Sequence, residues 1–458
     1  MISSIIRAIE ILFNKEDSHM NPIAQDLNQM IEKENPHIFQ MLSEVGKNLF
    51  FPKGILSQGA EAKAKASRFN ATIGIATEQG RTMHLPSIMD AIAGISPEAS
   101  LTYAPSYGIP ALRKSWQDEL FEKNPSLANE KISLPVVTSG ITHALAVSAD
   151  IWVEPDDVII APDMMWGNYN MIFKVRRGAE LSPYTLFSQN DGLNLVAFEE
   201  KIWEASTKLD KVIVLLNFPH NPTGYMLTPE EGNRIAKVLT DVAHKGTNII
   251  AVCDDAYFGL FYEEASLKES LFTRLCNQHP RLLAIKLDGA TKENFAWGLR
   301  VGFVTYGSKI DGDSSIVYDA LEKKTAGCVR GSISNVSHFS QSAVLKSMQD
   351  KRYAEEKEEK FETLKKRAKR VKTVLKDHRF KEVWDAYPFN SGYFMCLRLR
   401  TVDAEKLRQY LLETYGVGLI SLGKQDLRIA FSCMDEDEIL ELFEIILKGI
   451  RELTERNQ

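Results

Sequence analysis

The stretch Asp288-Gly289-Ala290-Thr291-Lys292-Glu293-Asn294-Phe295-Ala296-Trp297-Gly298-Leu299-Arg300-Val301-Gly302 decides how this chain reads. An apolar run, Leu282 to Leu287, precedes it, and a second, Val301 to Thr305, follows. Each has the length and composition of a buried strand. Lys292 therefore falls in a loop between two core strands, with Arg300 further along the same loop. A lysine held near apolar walls loses solvation and titrates below its ordinary value. In the neutral form it can make an imine with a carbonyl compound. Taken alone, Lys292 is equally a surface lysine in a turn, so its surroundings must decide.

Composition narrows the classes. The chain has 458 residues, 44% hydrophobic and 25% charged, with a formal net charge of -6. That suits a globular protein long enough for two domains and a large core. Mild acidity without a long basic run argues against nucleic acid as a partner. Cys253, Cys276, Cys328, Cys396 and Cys433 are scattered, with no CxxC or His-paired spacing. They read as reduced core residues of a cytoplasmic protein, not as a disulfide frame or metal site. No stretch reaches the roughly 18 uninterrupted apolar residues of a membrane span. Met1 to Phe13, broken by Arg7 and Glu10, reads as a short helix and not as a cleaved signal.

From about residue 74 to 330, short apolar runs alternate with helical stretches. Val136-Val137-Thr138, Val158 to Ala161, Val212 to Leu216, Ile249 to Cys253, Leu282 to Leu287 and Val301 to Thr305 are the expected strands. Their apolar character on both faces suits a mostly parallel sheet between helices, the α/β pattern. One long charged helix is expected from about Ser340 to Asp377, packing through Phe361, Leu364, Ala368, Val371 and Leu375. Shorter strands and a closing helix from about Asp435 then form a smaller α+β domain. Both chain ends contribute to it. The expected division is 1–73 for an N-terminal arm and part of the small domain, 74–345 for the large domain, and 346–458 for the small C-terminal domain.

Three strand ends carry candidate chemistry. Asn221-Pro222-Thr223-Gly224 follows the strand Val212 to Leu216, where ligands gather in an open α/β sheet. Asp254-Asp255-Ala256-Tyr257 ends the next strand; a carboxylate there suits a buried cation, and Tyr257 can reach the same ligand. Thr138-Ser139-Gly140-Ile141-Thr142-His143 ends a strand and opens a helix, whose free N–H groups suit a phosphate. Simple N-capping by Ser139 or Thr142 is the alternative.

Together, a strand-end aspartate, an NPTG loop, a Gly/Thr helix start and a lysine followed eight residues later by an arginine resemble the class I/II pyridoxal-phosphate-dependent aminotransferases of fold type I, the aspartate aminotransferase fold. The resemblance runs from about Asn70 to the C-terminus, with the motifs in the family's order. It implies pyridoxal 5'-phosphate as cofactor, carried by the amine of Lys292, which later moves the α-proton. Asp254 would keep the cofactor's ring nitrogen protonated. Asn221 and Tyr257 would hydrogen-bond its phenolic oxygen. Gly140, Ile141, Thr142, Thr291 and Arg300 belong to the implied cofactor set, with Arg300 a planar fork for the phosphate. Trp166 matches the stacking aromatic, and Tyr103 the tyrosine that reaches the phosphate of a neighbouring subunit, which implies a homodimer with shared sites. Arg428 matches the α-carboxylate clamp, helped by Gly74 and Asn221. Arg330, in Arg330-Gly331-Ser332-Ile333-Ser334-Asn335, resembles the arginine that reads a substrate's side-chain carboxylate from the other subunit.

The implied activity moves an amino group between an L-amino acid and a 2-oxo acid by a ping-pong mechanism, with aspartate or glutamate as substrate if Arg330 faces it. A β-lyase or aspartate 4-decarboxylase would carry the same cofactor set. One departure stands out. The position three before the lysine, often a serine that holds the phosphate, is Gly289.

Overall fold

Seven strands form the principal sheet, and the chain's apolar runs account for all but one of them. They are β1 (Val136–Thr138), β2 (Val158–Pro162), β3 (Glu180–Tyr184), β4 (Lys211–Asn217), β5 (Asn248–Asp254), β6 (Leu282–Gly289) and β7 (Gly302–Gly307). The spatial order is β1-β7-β6-β5-β4-β2-β3. Strand β7 runs antiparallel to both its neighbours, and every other pairing is parallel. The computed structural model describes residues 20–51, 54–188 and 192–456; the short helix expected over Met1 to Phe13 lies outside them.

Strand β4 shows why the sheet is central. Ile213 and Leu215 join one apolar core, and Val212, Val214 and Leu216 join a second on the opposite face. A strand with both faces buried must be apolar throughout. The strand that escaped the sequence, β3, reads Glu-Leu-Ser-Pro-Tyr and lies at the sheet edge. An edge tolerates proline and polar residues because one side of its ladder is unpaired. Parallel pairing brings the carboxyl ends of β2, β4, β5 and β6 to one edge, with Asn217 directly opposite Asp254. Strand β1 points the same way, because β7 is antiparallel to both β1 and β6. That edge carries the loops with the candidate chemistry.

A second, antiparallel sheet holds β8 (Trp384–Ala386), β9 (Phe394–Leu399), β10 (Ile420–Leu422) and β11 (Asp426–Ala430), in the order β8-β9-β11-β10. The chain ends meet beside it. Phe69–Asn70 pairs in parallel with Val417–Gly418, Gln58 bonds to Ser421 through both its amide nitrogen and oxygen, and Arg408 reaches Glu61 at 3.0 Å. Residues from 20 to 51 form three short helices, Pro22–Glu34, Pro36–Met41 and Glu44–Asn48, capped by Asn21, Asn35 and Ser43.

The long helix expected from Ser340 to Asp377 is two helices, α2 (His338–Met348) and α3 (Tyr353–Val374), following α1 (Gly140–Trp152). Asp350 breaks it by accepting bonds from the backbone N–H and the guanidinium of Arg352, a local competition with helical bonding. The packing stripe holds: Leu364, Ala368 and Val371 are buried, and Phe361 and Leu375 pack against the core.

Candidate active site

A cavity of about 200 Å³ opens at the carboxyl edge of the principal sheet. Eleven residues singled out from the sequence line it: Gly74, Ile141, Thr142, Trp166, Asn221, Asp254, Tyr257, Thr291, Lys292, Arg300 and Arg428.

Strand alternation explains the paired aspartates after β5. Asp254 turns to the cavity, whereas Asp255 turns to the far side and pairs with Lys286, itself fully buried and 3.0 Å from Asp288. The cation that Asp255 fixes is therefore a protein lysine, hidden within the apolar run of β6. Asp254 is 3% exposed and holds two donors on its carboxylate: the Tyr169 hydroxyl at 2.5 Å and the Ala256 N–H at 3.2 Å. Burial raises its pKa; the Tyr169 bond, the charge of Lys292 and the Ala256 bond pull it back. Burial lowers the Lys292 amine to about 8, with Asp254 opposing and Arg300 reinforcing. Its Nζ lies 4.9 Å from the ring centre of Tyr257.

The anionic end is built by α1. Ser139 makes no side-chain cap bond, so the first-turn N–H groups stay available to a ligand. Simple capping by Ser139 is thus excluded. Arg300, in left-handed backbone at φ 54, packs its guanidinium over Gly140. A Cβ at residue 140 would lie 2.3 Å from Arg300 Nη2, and the backbone there has φ +75, so only glycine fits. The Thr291 hydroxyl is buried without a partner.

The NPTG loop is locked by its own contacts. Gly224, at φ +76, presses against β9 so closely that a Cβ would meet the Phe394 carbonyl oxygen at 2.0 Å. His220 bridges Thr223 and the Met164 carbonyl, both at 2.8 Å. Its pKa falls to about 4 because of burial, so it links the Asn221 and Trp166 loops as a neutral ring. Arg428, 2% exposed, donates to Thr72 O at 2.8 Å and Asn221 Oδ1 at 3.3 Å, with the Phe394 ring 4.2 Å away. Its Nε has no partner, and among the described residues no carboxylate pairs with it. A buried, unpaired guanidinium is a strong site for a ligand anion.

Two of the sequence candidates lie elsewhere. Tyr103 is 89% exposed, and Arg330 is exposed near the end of the helix Ser314–Ile333; neither lines the cavity of its own chain. Tyr169, Asn217, Ala256 and Phe394 also line the cavity, and the sequence reading gave them no role there. Tyr169 had a local signal: it stands three residues after Trp166, a spacing that puts both rings on one face of a turn. The two rings meet edge to face at 5.4 Å.

The family model for aminotransferase class I and II matches residues 71–446. An aspartate aminotransferase of Sulfurisphaera tokodaii is 25% identical over 365 residues, covering 77% of this chain and 82% of that protein. A solved aminotransferase of Anaerococcus prevotii superposes with a TM-score of 0.78 at 24% identity, over 90% of this chain and 99% of the other. The cytoplasmic aspartate aminotransferase of Saccharomyces cerevisiae gives 0.74 at 20% identity, over 91% and 99%. For these two structures the likeness is one of fold. No described helix is long and apolar enough to cross a membrane.

Proposed function

The chain belongs to the class I and II aminotransferases, and from that premise we propose that it transfers an amino group between an L-amino acid and a 2-oxo acid with pyridoxal 5'-phosphate held at Lys292. The observation that carries this reading is the cavity itself. A lysine amine lowered to about 8 shares it with a buried carboxylate and two arginines, neither of which has an ion-pair partner among the described residues.

The donor set fits the cofactor. Uncapped N–H groups of α1, the Arg300 fork and the orphaned Thr291 hydroxyl suit a phosphate. Asp254, with no cation hydrogen-bonded to it, suits a protonated ring nitrogen. When bound, the cofactor supplies an aldehyde for amine exchange and an electron-withdrawing ring. Lys292 would hold it covalently and, once released, carry a proton at the substrate's α-carbon. The Tyr169 bond orients Asp254 and opposes the rise that burial gives its pKa, so that Asp254 would hold a proton on the ring nitrogen. Asn221 and Tyr257 would donate to the phenolic oxygen, and Trp166 would cover one ring face. Arg428, backed by Asn221 and by Gly74, where a Cβ would press on the Phe394 ring at 3.3 Å, would fix the substrate's α-carboxylate.

The exposed Tyr103 and Arg330 would act in the cavity of a second copy, in a homodimer with shared sites. We assign a dicarboxylic substrate to that arrangement, since Arg330 is exposed and, among the described residues, forms no ion pair within its own chain, and such an arginine suits a second carboxylate. The same reading divides the chain at residues 73 and 345. The test is a half-reaction. The loaded protein is mixed separately with aspartate, glutamate, alanine, an aromatic and a branched amino acid, and the cofactor absorbance is followed. Conversion by aspartate or glutamate that is lost in Arg330→Ala supports the dicarboxylate assignment. Conversion by neutral amino acids, unchanged in that variant, removes it, and no conversion by any amino acid removes the transfer reaction.

A further inference from the structure

Lys292 sits in a single helical turn, Ala290–Glu293, with no side-chain cap at its N-terminus. One turn fixes several residues for very few hydrogen bonds and does not hold itself. The segment beyond it is strained as well. Phe295 at φ 53 and Arg300 at φ 54 are non-glycine residues in left-handed backbone, which persists only where surrounding structure imposes it. Something outside the loop must fix its geometry.

Three successive residues of the loop are gripped by three side chains from much later in the chain. The Tyr393 hydroxyl donates to the Lys292 carbonyl at 2.9 Å. Lys357 Nζ lies 3.0 Å from Glu293 Oε1. The Asn294 amide donates to the Tyr353 hydroxyl at 2.7 Å. The Tyr353 hydroxyl in turn donates to Glu119 at 3.1 Å, and Lys357 also pairs with Glu119 at 3.0 Å. Lys123 closes the ring by pairing with both glutamates. The four charged side chains balance and are between 10% and 23% exposed. Burial opposes the Glu119 charge, yet Lys123 and Lys357 hold its pKa at about 2. The same pairing lowers the Glu293 pKa and raises those of Lys123 and Lys357 against their burial, so each group favours its charged form. Tyr393 is completely buried. None of Tyr353, Lys357 and Tyr393 lines the cavity.

We propose that Tyr393, Lys357 and Tyr353 are positioning residues for Lys292, holding its turn so that the amine stays aimed at the carbonyl it attacks. The inference rests on Lys292 being the catalytic amine. Displacing a reacting group by about 1 Å costs on the order of a hundredfold in rate, so loosening one grip has a measurable effect.

The test strips the cofactor from the full-length protein and follows the imine absorbance as pyridoxal phosphate is added back, alongside kcat and KM for the amino acid. Tyr393→Phe, which loses one hydroxyl and no charge, is expected to slow imine formation about tenfold or more. It should lower kcat similarly and leave KM within about twofold. Lys357→Met should behave alike, and Lys357→Arg should restore most of the rate. If Lys357→Met fails to fold for want of a counter-charge, Tyr393→Phe decides alone. Wild-type imine kinetics in Tyr393→Phe, or losses that follow thermal stability in both lysine variants equally, overturn the proposal. A wild-type protein that forms no imine at Lys292 overturns the reading of Lys292 itself, and the proposal with it.

Discussion

Gly289 is where restoring the family's serine should do harm. On sequence grounds, Gly289→Ser returns a hydroxyl to the phosphate site and should help by about 1 kcal/mol, the net worth of a hydrogen bond. The structure reverses that sign. Backbone conformation is no obstacle, since Gly289 is extended at φ 165. Space is the obstacle. A Cβ there would lie 2.5 Å from the Val301 carbonyl oxygen and 2.7 Å from the Gly302 Cα, both backbone atoms. Gly302 is the residue that pairs with Gly289 across β6 and β7, and its own Cβ position is filled by Gly140 and Ile141. Neither strand can retreat without moving α1. Overpacking costs roughly 1–3 kcal/mol, and opening the β6–β7 pairing adds about 1 kcal/mol for a lost hydrogen bond. The net expectation is a destabilisation of about 2–4 kcal/mol. With a urea dependence of about 1–3 kcal/mol per molar, that is a shift of about 1 M or more in the midpoint for the domain that carries the cofactor. The assay is urea unfolding of the loaded protein, followed by cofactor absorbance. An unchanged midpoint together with tighter cofactor retention would refute the steric reasoning. The Thr291 hydroxyl, buried without a partner and lining the same cavity, is available as a donor in place of the missing serine.

Other perturbations follow from the same geometry. Tyr169→Phe removes the 2.5 Å donor from Asp254, so a carboxyl already raised by burial rises further. Cofactor affinity by equilibrium dialysis should fall about tenfold, the effect of one hydrogen bond to a charged group, and wild-type affinity would count against it. Arg428→Lys keeps the charge but loses the planar fork. KM for the amino acid should rise about tenfold or more at unchanged cofactor absorbance, and an unaltered KM would remove Arg428 from the substrate site. With the Lys292 amine at about 8, roughly a tenth is neutral at pH 7, against about 3 in 10,000 at its ordinary value. Its pKa is lowered, so the neutral fraction grows as pH rises toward 8 and is nearly complete above 9. Imine formation in the cofactor-stripped protein should rise about tenfold per pH unit below 8 and then level; a continued rise to pH 10 would place the amine at its ordinary value.

Much of this architecture was legible because parallel sheets write themselves plainly. A strand buried on both faces is an uninterrupted apolar run, and the residues just after it fall at the ligand-binding edge. Asp254, Asn221 and Lys292 were found in that way. Strand β3 was not, because an edge strand with Pro183 lacks that pattern. The break between α2 and α3 was hidden because the charged face runs on across it, while the Asp350–Arg352 bonding interrupts the helix. Lys286 was invisible as a buried cation, being one residue in an apolar run whose partner, Asp255, is distant in sequence. Tyr353, Lys357 and Tyr393 lie still further from the loop they hold, and no local spacing connects them to it. Tyr103 and Arg330 are exposed and away from the cavity of their own chain, a placement that local spacing does not reveal.

The most direct test of the central claim is to reduce the cofactor-loaded protein with borohydride and locate the labelled peptide by mass spectrometry. The added mass is expected on Lys292, with labelling and amino-group transfer both lost in Lys292→Ala. A label on another lysine, or turnover that survives Lys292→Ala, would contradict it.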